Sequence, residues 1–446
     1  MQNIDALLNL YDSRNRGVFY ALYPLPPYEN RDTGGSRAID SLDQILTGKN
    51  TTAVAAGHIY IHIPFCDSFC SFCGIPKRIA APDLITGYLK ALKQEIDMYA
   101  DKAYIQSCHF RSLYLGGGTP SVLSPRQLGW ILKYCRDMLP VEKDAEITVE
   151  GSTHNFDAEK LEAALEKGAN RVSYGVQSFN NTLRKTLGLQ DRAEDVIHAL
   201  KMTRKAGFEE MDIDLMYNLP SQTETDVETD FNMAADLGLE NISFYPLHLG
   251  EGTRLHEKVR AGKLPPGDKA LELRMYLKAA QAAKAAGYEQ QSILSKWMLP
   301  GKRCLAEKHR MGDHDCLALG PSGNGNIADY TYRNVNALED YFKLLRKESY
   351  PIDRGLQMSP QEQMRRYMAR AFSFLSVDKN EFEKRFSLTP EQAFPEEINR
   401  LQHRGLIDVN DQEIRLTRAG EVWGQNVCVE FCDRQWREDL VTEEML

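Results

Sequence analysis

Tyr60-Ile-His-Ile-Pro-Phe-Cys66-Asp-Ser-Phe-Cys70-Ser-Phe-Cys73 places three cysteines at C-x3-C-x2-C spacing directly after an apolar, β-branched run. Residues 60–63 read as a strand that runs straight into the cysteine loop. A loop after a strand is where parallel α/β barrels place their chemistry. Three thiolates can hold a 4Fe–4S cluster by three of its four irons. Known cluster runs use four cysteines, so a trio points to one iron kept open for a small molecule. Two blander readings compete. A zinc site would normally show paired C-x2-C segments or a Cys/His layout, which this run lacks. Purely structural thiols rarely cluster this tightly.

Outward from that loop, residues 57 to about 260 alternate short apolar strands with amphipathic helices. Strands are predicted at 59–63, 111–115, 146–150, 171–176, 211–216 and 242–247, and helices at 83–99, 125–137, 157–167, 191–206 and 223–237. This βα alternation predicts a parallel sheet, and six strands fit a partial (β/α)6 barrel of the α/β class. Residues 1–56 read as a polar N-terminal leader that contains the turn-rich stretch 24–35 and wraps a surface or covers a cleft. Residues 261–350 read as a barrel extension and linker, with a helix at 268–286. Residues 351–446 read as a C-terminal domain, where two helices and a hairpin over 379–418 suggest a winged-helix-like unit. In this acidic chain that unit is expected to serve as a lid or docking module rather than to bind DNA.

Polar groups recur at the strand ends. Leu115-Gly-Gly-Gly-Thr-Pro-Ser121 follows the second strand, and its glycines let the backbone approach a ligand and present N–H and C=O groups. Glu150 ends the third strand, Gln177 the fourth, and Asp214 the fifth, before a Pro-marked turn. Asp212 and Asp214 alternate with apolar residues, so they share one strand face. Polar groups at four successive strand ends are hard to explain as packing. Cys304, His309, His314 and Cys316 fall within thirteen residues, but their irregular intervals in a polar run favour a surface loop over a metal site. Cys428 and Cys432, at helical spacing beside Phe431, read as a buried helix face.

Composition bounds the function. The chain has 446 residues, 42% hydrophobic and 26% charged, with a net charge of −9. That charge argues against broad attraction to nucleic acid. No apolar run approaches a membrane span. Nine cysteines without a disulfide-like framework fit a reducing compartment, so a cytoplasmic location is expected.

The cysteine spacing resembles the cluster signature of the radical S-adenosylmethionine (SAM) superfamily. Tyr-Ile-His-Ile-Pro-Phe-Cys, Gly-Gly-Gly-Thr-Pro-Ser, Gly-Val-Gln-Ser-Phe and Asp-Leu-Met-Tyr-Asn-Leu-Pro-x-Gln-Thr together resemble the oxygen-independent coproporphyrinogen III oxidase family within it, over roughly residues 57–430. The resemblance implies that Cys66, Cys70 and Cys73 ligate a 4Fe–4S cluster. It implies SAM contacts from Tyr60, Gly117, Gly118, Thr119, Glu150, Gln177 and Asp214, the last three in catalytic roles, and a second SAM or substrate site near Phe244–His248. It further implies a planar ring substrate such as a porphyrin or haem, and an electron donor of the flavodoxin or ferredoxin type. Two departures stand out. Ile75 occupies the place of a further family cysteine, and Leu189 that of a family arginine. Both argue against coproporphyrinogen decarboxylation as such. The family also holds haem chaperones, haem-degrading enzymes and two-SAM methyltransferases, so a C-methyltransferase or cyclopropanase and a haem chaperone stand as alternatives.

Overall fold

The computed structural model describes residues 7, 10, 23, 24, 36–49, 56–293, 296–312, 314–434 and 436. The turn-rich stretch of the expected leader, from 25 to 35, lies outside them.

Six parallel strands form the centre of the fold: β1 (Ala56–Ile63), β4 (His109–Gly117), β5 (Val141–Gly151), β6 (Arg171–Gln177), β7 (Glu210–Tyr217) and β8 (Asn241–Pro246). The pair β2 (Phe65–Cys66) and β3 (Arg78–Ile79) forms a separate ribbon in the cysteine loop. The expected strands and helices of this region are present, with further short helices at Ala103–Gln106, Asn181–Leu187 and Arg254–Arg260 and a single helical turn at Pro120–Val122. Of these, Asn181–Leu187 follows β6 and closes on Gly188, whose φ of 73° suits a glycine cap.

The sheet is wider than six strands. It continues past β8 through β10 (Lys296–Met298) to β9 (Glu289–Ser292). On the other side of β1 it continues through β11 (Cys316–Leu319), β12 (Asn324–Ile327), β13 (Tyr330–Asn334) and β14 (Ile352–Gln357), giving twelve strands. β11 runs parallel to β1, so the parallel part has a seventh strand. Its four residues, Cys-Leu-Ala-Leu, are too short for a periodic signal beside the polar run before them.

The alternation along the central strands is the reverse of a filled barrel. Ile59, Ile61, Ile63, Leu113, Leu115, Ile147, Val149, Val172, Val176, Ile213, Leu215, Ile242 and Phe244 are buried in the main core with the helices. The other face carries His58, Tyr60, His62, Ser112, Tyr114, Glu146, Thr148, Glu150, Arg171, Ser173, Asp212, Asp214, Ser243 and Tyr245. A closed barrel normally packs branched apolar side chains inside. A polar interior marks a lumen that receives a ligand.

The C-terminal unit has a three-stranded antiparallel sheet of β15 (Ser376–Asp378), β16 (Ile407–Val409) and β17 (Glu413–Leu416), with helices Lys379–Phe386 and Pro395–His403. Phe372, Phe394, Phe431, Cys428 and Cys432 are buried there; both cysteines lie in the core as expected, but only Cys428 is on a helix, Gly424–Glu430, and Cys432 stands two residues beyond its end. Trp423 is also buried, and its indole N–H donates to the carbonyl of Leu7 at 2.9 Å. Among the described residues, no helix is long and apolar enough to cross a membrane.

Candidate active site

The lumen has a closed end and an open end. At the amino ends of the strands, the helix Leu305–Met311 plugs it. Glu146 accepts from the backbone N–H groups of Leu305 and Ala306, both at 2.9 Å, which satisfies two donors of the helix start. Arg171 donates to the carbonyl of Arg303 at 3.1 Å and lies 3.4 Å from Asp212, while Lys296 pairs with Asp212 at 2.5 Å and with Glu307 at 3.4 Å. His309 Nδ1 and His58 Nδ1 share the hydroxyl of Ser112, at 2.8 and 2.9 Å. Burial drives the His309 pKa down to about 3, so its ring is neutral.

This corrects the reading of 304–316 as a surface loop. Cys304, His309 and Cys316 are buried. The run is polar because it faces the polar interior of a sheet rather than water.

The open end lies at the carboxyl ends of the strands. Gly118 N–H donates to Ile63 O at 2.8 Å, and Thr119 N–H donates to Phe65 O at 2.7 Å, so the glycine loop is bonded to the start of the cysteine loop. A Cβ on Gly118 would stand 2.4 Å from Phe65 O. Gly117 has φ 113°, and a Cβ there would meet the His62 ring at 2.7 Å. These two positions require glycine, one for close approach and one for conformation.

The cysteine loop is held from three sides. Ala80 N–H donates to Cys66 O at 2.8 Å across β2 and β3. Ser71 N–H donates to Leu187 O, and Leu255 N–H to Ser71 O, both at 2.8 Å. The Lys77 ammonium donates to the carbonyls of Cys73 and Ile75, each at 3.0 Å. The Thr119 hydroxyl donates to Cys66 Sγ at 3.3 Å. No disulfide ties Cys66, Cys70 or Cys73. Burial raises the Cys70 thiol to about 11, with repulsion from Cys73 and Cys66 adding and Lys77 opposing. Burial also raises Cys66, against the Thr119 hydrogen bond and Lys77. Three unbridged thiols in one loop, with the Lys77 ammonium bonded to that loop and the Thr119 hydroxyl donating to Cys66, fit a thiolate-ligated cluster. Each cysteine of such a cluster binds a different iron, so the three need not converge on one point.

Across the lumen, Glu150 accepts from the Tyr114 hydroxyl at 2.6 Å and from Gly117 N–H at 3.1 Å. Asp214 sits one layer above Asp212 on the same face of β7. Burial, then Asp212, raises its pKa to about 8, with Lys296 opposing and Glu150 adding a smaller push upward. Gln177 has φ 69°, and the β6–β7 register shifts between Gly175 and Gln177. Such a bulge re-aims a side chain. The Tyr245 hydroxyl donates to Gln177 Oε1 at 3.3 Å. Tyr60 lies deeper, its hydroxyl 3.2 Å from His62 Nδ1 and its ring stacked on Tyr114. The structure therefore brings Glu150, Gln177 and Asp214 around one opening and the glycine loop onto the cysteine loop. Of the aspartate pair, only Asp214 belongs to the opening; Asp212 is tied into the closed end.

Sequence reasoning missed two contributors and the role of a third, Tyr245, which lies in the segment 244–248 expected to shape a second SAM or substrate site. Tyr114 and Tyr245 orient Glu150 and Gln177, and strand alternation with Gly116 and Ser243 was the signal available for them. Arg184, buried at 2% exposure, donates to the carbonyls of Val176 and Ser178 at 2.7 and 3.0 Å and pairs with Asp191, bracing the turn after Gln177. Leu189, where the family resemblance led to an arginine, packs in an apolar group at the mouth with Phe72, Leu187, Met216, Tyr245, Leu247 and Leu249.

The chain is similar to several known proteins. Residues 60–234 match the model of the Radical SAM superfamily, and residues 358–423 match that of the HemN C-terminal domain. Anaerobilin synthase from Escherichia coli O157:H7 is 30% identical over 371 residues, 83% of this chain and 82% of that protein. The heme chaperone HemW of Lactococcus lactis is 30% identical over 378 residues, 83% of this chain and 96% of that protein. Oxygen-independent coproporphyrinogen III oxidase of Escherichia coli K12 is 27% identical over 390 residues, 84% of each chain. The solved structure of coproporphyrinogen III oxidase (HemN) from Escherichia coli, a radical SAM enzyme, superposes with TM-score 0.81 at 25% identity, covering 93% of this chain and 97% of that one.

Proposed function

The chain belongs to the radical SAM superfamily, in its oxygen-independent coproporphyrinogen III oxidase-like family, and on that premise we propose that it cleaves SAM reductively to start radical chemistry on a porphyrin, haem or similar planar ring. The observation that carries this reading is one opening in which Glu150, Gln177 and Asp214 meet the glycine loop that is bonded to the cysteine loop.

Cys66, Cys70 and Cys73 are the proposed cluster ligands. When bound, the cluster and SAM supply one-electron reduction of a sulfonium and the radical reactivity that follows. The protein's own groups bind and orient. Glu150, fixed by Tyr114 and Gly117, presents a carboxylate to the cationic amino group of SAM. Asp214 offers a second carboxylate for an amino or ribose hydroxyl group. Gln177, its oxygen engaged by Tyr245, offers an amide of fixed orientation. Gly117 and Gly118 let a ligand approach the backbone, and Tyr60 walls the space below. The plug at the other end of the lumen keeps solvent from entering behind the ligand. The apolar mouth of Phe72, Leu189, Leu247 and Leu249 suits the face of a planar ring. A flavodoxin- or ferredoxin-type protein is the proposed reductant, and the cytoplasm the proposed compartment.

A haem-carrier role is the second reading, favoured by the 96% coverage of the HemW relative. Two-SAM methyl transfer or cyclopropanation would draw on the segment 244–248, where Tyr245 already serves Gln177. Mass spectrometry of products from the reconstituted, reduced protein, run with haem and with coproporphyrinogen III, separates these. Substrate-dependent 5′-deoxyadenosine supports the proposal. S-adenosylhomocysteine formed alongside it would mean methyl transfer. Stoichiometric haem binding without SAM cleavage would refute the proposal and leave the carrier.

A further inference from the structure

Thr119 falls in the run whose family resemblance implies a SAM contact, yet its hydroxyl is directed elsewhere. It donates to Cys66 Sγ at 3.3 Å. We propose that Thr119 is a positioning residue for the cluster rather than for SAM, setting the cluster's reduction potential through its hydrogen bond to the Cys66 sulfur. The inference rests on the assignment of Cys66 as a cluster ligand.

The geometry is built to hold that bond. Pro120 follows, which excludes the helical region for Thr119, and the residue sits at φ −151°, ψ 95°. Its N–H is fixed to Phe65 O, one residue before Cys66, and its carbonyl accepts from Val122 N–H at 3.0 Å. The neighbouring Gly118 presses against Phe65 O so closely that no side chain fits between the two loops. The backbone on both sides of the Oγ1–Sγ contact is thus pinned, and Cys66 is only 7% exposed. A hydroxyl donor on a ligating sulfur stabilises negative charge there. Reduction adds one electron to the cluster and so adds negative charge. Hydrogen bonds to the sulfurs therefore favour the reduced state and raise the potential.

The test compares Thr119→Val, which keeps the shape and loses the donor, with Thr119→Ser, which keeps the donor. Each reconstituted protein is titrated anaerobically with graded dithionite, and the reduced cluster is counted by electron paramagnetic resonance. SAM affinity is measured separately by calorimetry. At a fixed potential, T119V is expected to show an oxidised-to-reduced ratio about tenfold higher, about 59 mV for one electron, with SAM affinity within twofold of wild type. T119S is expected to titrate with wild type. A T119V midpoint equal to wild type overturns the proposal, and a tenfold loss of SAM affinity with an unmoved midpoint makes Thr119 a SAM contact instead. Failure of the wild-type protein to hold any cluster would defeat the family-based assignment itself, a result distinct from either.

Discussion

Gly118→Ala tests whether the glycine loop must lie against the cysteine loop. An alanine Cβ at this position stands 2.4 Å from Phe65 O, 2.9 Å from Phe65 C and 3.0 Å from Ile63 O. All three are backbone atoms, so no side chain can swing aside. A carbon–oxygen contact relaxes only near about 3.3 Å, so the loops must separate by about 0.9 Å. That movement strains or breaks the bonds Gly118 N–H to Ile63 O and Thr119 N–H to Phe65 O, at 2.8 and 2.7 Å. At about 1 kcal/mol net for each bond, plus local strain, the cost is roughly 2–4 kcal/mol. It falls where the Gly117 N–H orients Glu150 and the Thr119 hydroxyl meets Cys66. Iron content, visible absorption and SAM affinity of the reconstituted variant are the readouts, and SAM affinity is expected to fall at least thirtyfold. Gly74→Ala, in the same cysteine loop but with open space at its Cβ, serves as the control and should behave as wild type. A Gly118→Ala protein with wild-type cluster content and SAM affinity would refute the claim that the two loops form one site.

Two further predictions concern the carboxylates. Asp214, raised to about 8, is mostly neutral at pH 7 before a cation approaches it. A cationic ligand favours its ionised form, so binding expels a proton below pH 8. SAM affinity should rise by up to about tenfold per unit between pH 6 and 8 and flatten above, and Asp214→Asn should abolish the slope in calorimetry across that range. For stability the sign is opposite: a raised acid contributes fully below about pH 4, and the contribution is lost as pH rises toward 8. Tyr114→Phe removes the 2.6 Å donor to Glu150 and should weaken SAM binding about tenfold or more while leaving cluster content unchanged, as read by calorimetry and iron assay.

The parallel barrel was legible because its strands carry two signals at once. Val172-Ser-Tyr-Gly-Val-Gln177 and Met211-Asp-Ile-Asp214 alternate strictly, and each ends in a polar group that the structure brings to the opening. The cysteine loop was legible by spacing. The closed end was not. Between Cys304 and Cys316 the sequence is as polar as a surface loop, because a helix that faces Glu146, Arg171 and Lys296 needs the same residue types as one that faces water. Burial of charge is a property of what surrounds a residue, and in Arg171, Asp212 and Lys296 the partners come from three different strands. The six outer strands were also hidden, since most are three to six residues long and take their register from neighbours. Tyr114 and Tyr245 were readable in principle by alternation, but their roles depend on Glu150 and Gln177 lying within hydrogen-bond reach.

Helix Pro82–Ala100 shows the same limit. Glu95 lies in its buried stripe, where a periodic pattern leads to an apolar residue. It is fully buried and accepts from Gly320 N–H at 2.8 Å, Asn334 at 3.1 Å and the Tyr341 hydroxyl at 2.7 Å. Burial raises its pKa to about 7. The carboxylate ties the Gly320 turn, which packs behind His62, to the helix, and only the folded chain shows why an acid stands there.

The most direct measurement is SAM cleavage by the anaerobically reconstituted protein, with and without dithionite, beside Cys70→Ala. The account predicts 5′-deoxyadenosine and methionine from the reduced wild-type protein, none from the unreduced protein, and none from Cys70→Ala. Equal cleavage by Cys70→Ala and wild type would contradict the assignment of the three cysteines as the cluster site.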